Sequence, residues 1–210
     1  MQPRALAGQL RLRGLHRLSA MLVGVFLLLH LVNHLAGLSG QEAHMTFMAK
    51  ARAFYRHPAI EIPLIGLLLW QVGSGLRMLV RGWTKRRGAV TWLQAISGGY
   101  LAFFLLNHVG AVIAGRTLLG LDTDFRFAAA GFFAPPWQWF FAPYYFLGVV
   151  SLFVHVGCAV YWNVARRGRA VLLSGISLLG VAFATSLVLA LSGALYPVDI
   201  PAAYLATYGQ

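Results

Sequence analysis

The sequence predicts an all-α integral membrane protein, a bundle of five transmembrane helices in one domain that covers residues 1–210. Hydrophobic residues make up 59% of the chain and charged residues only 10%, whereas a soluble domain carries about a quarter charged residues. A helix needs about 20 apolar residues to cross the hydrocarbon core of a bilayer. Five segments meet this length: 18–38, 59–80, 90–114, 140–164 and 171–195.

The ends of these helices and the segments between them carry further signals. Tryptophan and tyrosine are enriched at membrane interfaces, and they mark several predicted helix ends: Trp83, Trp92, Trp137, Trp139 and Tyr196. The longest segment between two helices, 116–138, contains Pro135 and Pro136 within an aromatic stretch. We expect this segment to have no regular structure and to lie along the membrane interface.

The charged residues predict how the bundle is oriented. Three segments outside the helices are basic and contain no acid; they carry Arg4, Arg11, Arg13 and Arg17, then Arg81, Lys85, Arg86 and Arg87, then Arg166, Arg167 and Arg169. Basic residues favour the cytoplasmic side, so we expect a cytoplasmic N-terminus and an outer C-terminus in a bacterial cytoplasmic (inner) membrane. Topology therefore explains the net charge of +12 without a nucleic-acid partner.

The candidate functional residues are histidines, because ionisable side chains at membrane depth are rare and costly. Four of them lie within the predicted helices: His30, His34, His108 and His155. Three others fall in or near loops, where we expect solvated side chains: His16, His44 and His57.

Depth along the helices groups these residues into two pairs. His30 and His108 lie beyond the midpoints of their helices, in the outer half. Gln71 and His155 precede the basic loops by ten and eleven residues, or about 15 Å of helix, and form an inner pair. Two facing imidazoles suit a haem iron, and hydrogen bonding between helices is the alternative; His34, one turn from His30, stays open as the ligand.

Four short motifs resemble one known family in their order and spacing. They are Leu15-His16-Arg17-Leu18-Ser19 in the first helix, Gly75-Leu-Arg77 in the second, Trp92-Leu-Gln-Ala-Ile-Ser-Gly98 with His108 ten residues later in the third, and Pro143 twelve residues before His155 in the fourth. Together they resemble the five-helix cytochrome b anchor of succinate:quinone oxidoreductases (succinate dehydrogenase and fumarate reductase, complex II). The resemblance covers the first four helices.

This resemblance implies haem b as the cofactor, with two haems in diheme members. One haem is held by the first and third helices, where His30 and His108 match. The other is held by the second and fourth helices, where His155 matches but Gln71 stands at the histidine position. The inner haem is therefore missing, five-coordinate through His155, or bound differently.

Further site residues and partners also follow from the resemblance. Because it has no side chain, Gly98 would leave flat space for a porphyrin or simply let the helices pack closely; by the resemblance, Arg77 would pair with a haem propionate or extend to the interface. Quinone would bind near the inner face, at His16, Arg17 and Ser19. A flavoprotein subunit and an iron–sulfur subunit would dock on the cytoplasmic face, so this chain would carry electrons but no catalytic residue for succinate or fumarate.

Two alternatives are compatible with the same sequence. A standalone membrane cytochrome b would bind the same haem and exchange electrons with quinone, but would have no soluble partner subunits. A haem-free transporter or scaffold would use its histidines for hydrogen bonds between helices. We find no internal repeat of the kind that many transporters show.

Overall fold

The computed structural model describes residues 3–209, with side chains from residue 11 onward, so the Arg4 side chain lies outside the described part. This part is helical and contains no β-strand. Its helices are α1 (Pro3–Ala36), α2 (Gln41–Tyr55), α3 (Pro58–Arg81), α4 (Ala89–Thr117), α5 (Phe125–Ala129), α6 (Gln138–Asn163), α7 (Arg169–Leu191) and α8 (Ala202–Leu205).

Five of these helices are long and apolar enough to cross a membrane: α1, α3, α4, α6 and α7. The prediction of five transmembrane helices is confirmed in these terms, with ends that differ by a few residues. The last helix ends at Leu191 rather than 195, because the chain turns at Gly193 with a φ of +77°. The amides of Ala194 and Leu195 then bond back to the carbonyl of Leu189, which satisfies the end of the helix.

The long helices pack in sequence, α1 on α3, α3 on α4, α4 on α6 and α6 on α7. Glycines permit the closest contacts, as is usual between membrane helices. A Cβ atom added to Gly180 of α7 would lie 2.4 Å from the Cβ of Phe153 on α6. A Cβ on Gly148 of α6 would lie 2.4 Å from the ring of Phe104 on α4. These glycines hold α6 close to both of its neighbours.

Two segments between the spans form a folded cap at one end of the bundle. The segment after α1 forms α2, and residues 116–138 contain α5, so the prediction that 116–138 has no structure is wrong. Phe125 is 2% exposed and packs in one apolar cluster with Leu187 and Leu191 of α7. The Asp124 carboxylate accepts hydrogen bonds from the amides of Arg126 and Phe127 and begins α5 as an N-cap.

Ion pairs connect the parts of this cap to one another. Arg52 of α2 binds Asp122 at 2.7 Å and also donates to the carbonyl of Thr123 at 2.6 Å. Arg116 at the end of α4 pairs with Glu61 at the start of α3. The Tyr204 hydroxyl of α8 donates to the carbonyl of Asp122 at 3.1 Å. We call this end, formed by α2, α5 and α8, the capped end.

The opposite end, formed by residues 82–88 and 164–168, is called the basic end. Here Arg86 donates to the carbonyl of Leu79 at 2.7 Å. Its guanidinium also lies over the rings of Trp83 and Trp92, at 5.5 and 5.7 Å from their centres. The Arg86 side chain therefore satisfies a carbonyl at the end of α3 and makes cation–π contacts with two interfacial tryptophans.

Candidate functional site

Four histidines meet in the half of the bundle next to the capped end. His30 of α1 faces His108 of α4, with ring centres 6.1 Å apart and an angle of 66° between the rings. His34, one turn further along α1, lies 4.7 Å from His30 and 5.3 Å from His44 of α2. Three helices therefore bring four imidazoles into one continuous contact, which we call the capped-half cluster.

The polar atoms of this cluster are only partly hydrogen-bonded. His30 and His34 approach each other through their Nε2 atoms at 3.3 Å. The Asn33 amide group donates to Nε2 of His44 at 3.1 Å. Among the described residues of this cluster and the adjoining Asn33, three buried polar atoms have no partner: Asn33 Oδ1, His34 Nδ1 and His44 Nδ1. Buried polar atoms are usually satisfied, so the cluster has capacity for a further ligand.

His44 is buried beneath the cap, at 4% exposed, so the prediction that it is a solvated loop residue is wrong. Its ring packs on Phe125 of α5 and lies over Gly37, where a Cβ atom would come within 3.1 Å. Burial, and then the positive charge of Arg52, lower the pKa of His44 to about 4. His44 is therefore neutral at physiological pH, whereas His57 is exposed at the start of α3.

The geometry of His30 and His108 fits a haem iron with two imidazole ligands. Imidazoles that bind one metal ion from opposite sides have ring centres roughly 6 Å apart, because each metal–nitrogen bond is about 2 Å long. The observed separation is 6.1 Å. Their helices pack along α3 rather than extensively against each other, so the two rings meet across the bundle interior. His30 rather than His34 faces His108.

This pair differs from a site that holds a bare metal ion. Within the described residues, no group of three or more His, Cys, Asp or Glu side chains is arranged to hold a metal ion. A haem iron requires only two axial ligands from the protein, because the porphyrin supplies the other four. The two facing histidines would suffice for that cofactor alone.

The half next to the basic end contains His155 of α6. Its Nδ1 lies 3.2 Å from the carbonyl oxygen of Gln94 and 3.4 Å from the Ser97 hydroxyl, both on α4. Gly98 makes room for the ring, since a Cβ atom there would lie 2.9 Å from Cε1 of His155. The direct role of Gly98 is therefore to accommodate the predicted ligand.

His16 lies in the same half and is not a solvated loop residue, which corrects the prediction. It is part of α1, is half-buried, and its Nδ1 lies 2.7 Å from the Ser74 hydroxyl of α3. Ser19, also on α1, is buried and donates to Oε1 of Gln71 at 2.9 Å. Gln71 and His155, the predicted inner pair, form no hydrogen bond with each other in the described part of the chain.

The predicted arginines lie apart from these contacts. Arg17 and Arg77 are both exposed, and neither makes a hydrogen bond or an ion pair within the described residues. His16 and Ser19 bind α3, so Arg17 lies on a different face of α1 from the other two quinone candidates. The predicted site also omitted Asn33, Ser74 and Ser97, which contact these histidines. The only feature of the sequence that could have indicated them is that each is a polar residue within an apolar run.

A comparison with known protein families, with curated proteins and with solved structures finds no match for this chain. The arguments for its class therefore come from its own residues: five apolar helices suited to a membrane and histidines opposed at membrane depth. They define a multi-pass membrane protein.

Proposed function

We propose that this protein is the membrane anchor and electron-carrying haem b subunit of a succinate dehydrogenase or fumarate reductase complex. In this proposal it passes electrons between an iron–sulfur subunit and quinone. The observation that carries the proposal is the 6.1 Å separation of the His30 and His108 rings between α1 and α4. The motif resemblance supplies the class of complex.

The chain's own residues would hold the cofactor and exclude other ligands. His30 and His108 would both hold the haem iron, and ligation by two histidines would exclude dioxygen and favour electron transfer. Phe104 stacks on the ring of His108 at 5.3 Å, and Phe26 on that of His30 at 5.7 Å. These contacts orient both imidazoles before any cofactor binds. The haem, when bound, supplies the one-electron chemistry.

The partners would dock at the basic end. By the positive-inside rule, this end faces the cytoplasm of a bacterial inner membrane, where the flavoprotein and iron–sulfur subunits would bind. Its arginines would attract acidic protein surfaces and anionic lipids. Quinone would bind nearby on α1, at His16, Arg17 and Ser19. Arg77, exposed on α3, would reach a haem propionate or the lipid headgroups.

Haem content in a His108 variant tests the proposal. We would purify the full chain with any associated subunits and measure haem b per chain by the pyridine haemochromogen assay. His108→Ala should abolish the haem of the capped half, because its iron loses one of two protein ligands. His57→Ala, at an exposed histidine, is the matched control and should retain all haem.

The outcomes separate the proposal from its alternatives. Haem b that is lost in His108→Ala, in a preparation containing flavin and iron–sulfur clusters, supports the anchor subunit. Haem without any co-purifying subunit, in membranes solubilised under mild conditions, indicates a standalone cytochrome b. A wild-type chain without haem refutes the proposal and favours a transporter or scaffold in which the histidines bond between helices.

A further inference from the structure

Two cavities lie along the seam between α1 and α7, near the capped end. The first has a volume of about 380 Å³ and is lined largely by polar and charged side chains. The second has a volume of about 190 Å³ and is lined mainly by apolar side chains of α1 and α7. We call them the polar pocket and the apolar groove. The proposed function uses neither of them.

The two cavities lie at different depths along the same two segments of the chain. The span that contains α1 ends at Ser39, and α7 ends at Leu191. The polar pocket is lined by residues that follow these ends, among them Gly40 and Tyr196, whereas all residues of the groove precede them. The Tyr196 hydroxyl donates to the carbonyl of Gly37 and joins the two segments. The pocket is therefore at the level of lipid headgroups and the groove at the level of acyl chains.

The apolar groove separates two helices that do not pack extensively against each other. Leu35 lines it on α1, and Leu179 and Leu187 line it on α7. The part of α7 between these two leucines is about 12 Å long, so the groove follows the helices over a length that part of an acyl chain would fill. Such a chain would supply van der Waals contacts that the two helices do not make with each other.

The polar pocket contains a cation whose charge is only partly compensated. Arg126 of α5 lies 3.8 Å from the Asp124 carboxylate, which already accepts hydrogen bonds from two backbone amides. The Nε atom of Arg126 is buried and has no hydrogen-bond partner. A guanidinium binds a phosphate group through several N–H donors at once. The pocket therefore suits a ligand with a phosphate group.

Two carboxylates in the same pocket favour a positively charged group beside that phosphate. Glu42 of α2 and Asp199 of the C-terminal segment line the pocket. Both are exposed, and neither makes an ion pair within the described residues. They would repel a headgroup that carries only negative charge. An ammonium group would pair with them and donate its N–H groups to their oxygens, whereas a choline group has no N–H to donate.

We propose that the polar pocket and the apolar groove together bind one ethanolamine phospholipid. Its phosphate would bind Arg126, its ammonium group would bind Glu42 and Asp199, and one acyl chain would lie in the groove. The lipid would join α1 to α7, the first and last spans of the bundle, and so stabilise the fold. This inference is independent of the proposed function, because it requires neither haem nor quinone.

Lipid binding to the delipidated protein tests this site. The full chain, with any associated subunits, would be mixed in detergent with dioleoyl phosphatidylethanolamine, or with the matching phosphatidylcholine or phosphatidylglycerol. Native mass spectrometry measures the lipid bound per chain, and the unfolding temperature should rise only with phosphatidylethanolamine. Arg126→Gln should weaken its binding about tenfold. Lys50→Gln, at an exposed cation of α2, is the matched control and should bind as wild type does.

The carboxylates and the groove are tested separately. Glu42→Gln combined with Asp199→Asn should remove the preference for ethanolamine over choline headgroups. Ala182→Phe adds a ring to the groove wall and should weaken binding of the lipid. Glycerophosphoethanolamine, which has the headgroup but no acyl chains, should not raise the unfolding temperature at the same concentration. An equal rise would show a site for a soluble zwitterion and overturn the lipid assignment.

Other outcomes also overturn the proposal. Equal binding of the three lipids would show that they only coat the apolar surface, and unchanged binding in Arg126→Gln would remove the phosphate site. If Arg126→Gln does not fold, the double carboxylate variant decides: a lost headgroup preference supports the site and a retained preference refutes it. Haem content should equal that of wild type in the carboxylate variant, so failure here leaves the proposed function intact.

Discussion

The two halves of the bundle use histidine differently. Next to the capped end, His30, His34, His44 and His108 contact one another, and two of their buried nitrogen atoms have no partner. Next to the basic end, neither His16 nor His155 makes a ring contact with another histidine of the described residues, and each Nδ1 is bonded to a hydroxyl or a carbonyl. In the capped half, the contacts between histidines do not determine which ring nitrogen carries the proton. Next to the basic end, the bonds to Ser74 and to the Gln94 carbonyl favour a proton on Nδ1.

This difference has a consequence for ligand binding. A histidine whose tautomer is set by a neighbouring helix presents one defined lone pair, which favours a metal at that position. In the capped-half cluster, Nε2 of His30 is shared with His34, so ligand binding would exchange that contact for an iron bond. His16 and His155 are held by α3 and α4, whereas the histidines of the capped-half cluster are held by contacts among themselves.

The largest expected effect comes from filling the space beside His155. A Cβ atom on Gly98 would already lie 2.9 Å from Cε1 of His155, and the branched side chain of Gly98→Val would displace the ring further. Overpacking of this kind costs about 3 kcal/mol of stability, and any haem that His155 holds should be lost. Thermal unfolding in detergent and haem content per chain measure both effects.

The control for this variant is Gly110→Val on the same helix. A Cβ atom there meets nothing within 4 Å, so the variant should keep its haem content and its unfolding temperature close to wild type. Equal losses in both variants would mean that valine disturbs α4 in general. The specific contact between Gly98 and His155 would then not be responsible.

The second largest expected effect is a loss of stability at low pH, caused by protonation of His44 in the capped half. The pKa of His44 is lowered from 6.5 to about 4 by burial and by the charge of Arg52. Between these values the unfolded state binds more protons, so stability decreases as the pH falls. From pH 7 to pH 5 the decrease from this residue should be about 2 kcal/mol.

Unfolding temperatures across this pH range test the effect of His44. His44→Gln should reduce the pH dependence, because the substituted side chain does not titrate. His57→Gln, at the exposed start of α3, serves as the matched control and should leave the wild-type profile unchanged. An unaltered profile in His44→Gln would show that protonation of His44 does not limit the stability of the cap.

The smallest expected effect is at the ion pairs of the cap. Asp122 accepts from Arg52 at 2.7 Å, but its side chain is 53% exposed. Partly exposed ion pairs contribute below about 1 kcal/mol, so Asp122→Asn should lower the unfolding temperature slightly and only at low salt. A large decrease that persists at high salt would show that the cap depends on this carboxylate for more than charge.

The membrane spans were predictable because their signal is local. Without water, each backbone group must be satisfied within its own helix, so a long apolar run predicts a span directly. α2 and α5 gave no such signal. α2 mixes charged and apolar residues, and α5 has only five residues. Contacts between Phe125 and α7, and between Arg52 and Asp122, stabilise these helices, and such contacts join distant parts of the chain.

The candidate site was predictable to the same extent. The positions of His30 and His108 along α1 and α4 predicted that both lie at the same membrane depth. Their ring centres are indeed only 6.1 Å apart. The burial of His44 and the binding of His16 to Ser74 were missed. Both histidines were assigned to loops because they lie outside the most apolar runs, although α1 extends through His16 and α2 covers His44.

The sequence by itself determined the number of spans, the distribution of charge between the two ends and the depth of the histidines, because each depends on position along a helix. Only the tertiary structure decided which side chains meet, because helix rotation and packing set the direction of every side chain. It brought Ser19 to Gln71, Ser74 to His16 and the Gln94 carbonyl to His155. The last two of these contacts, each made between different helices, leave Nε2 of His16 and of His155 as the nitrogen atoms without a bond to a neighbouring helix.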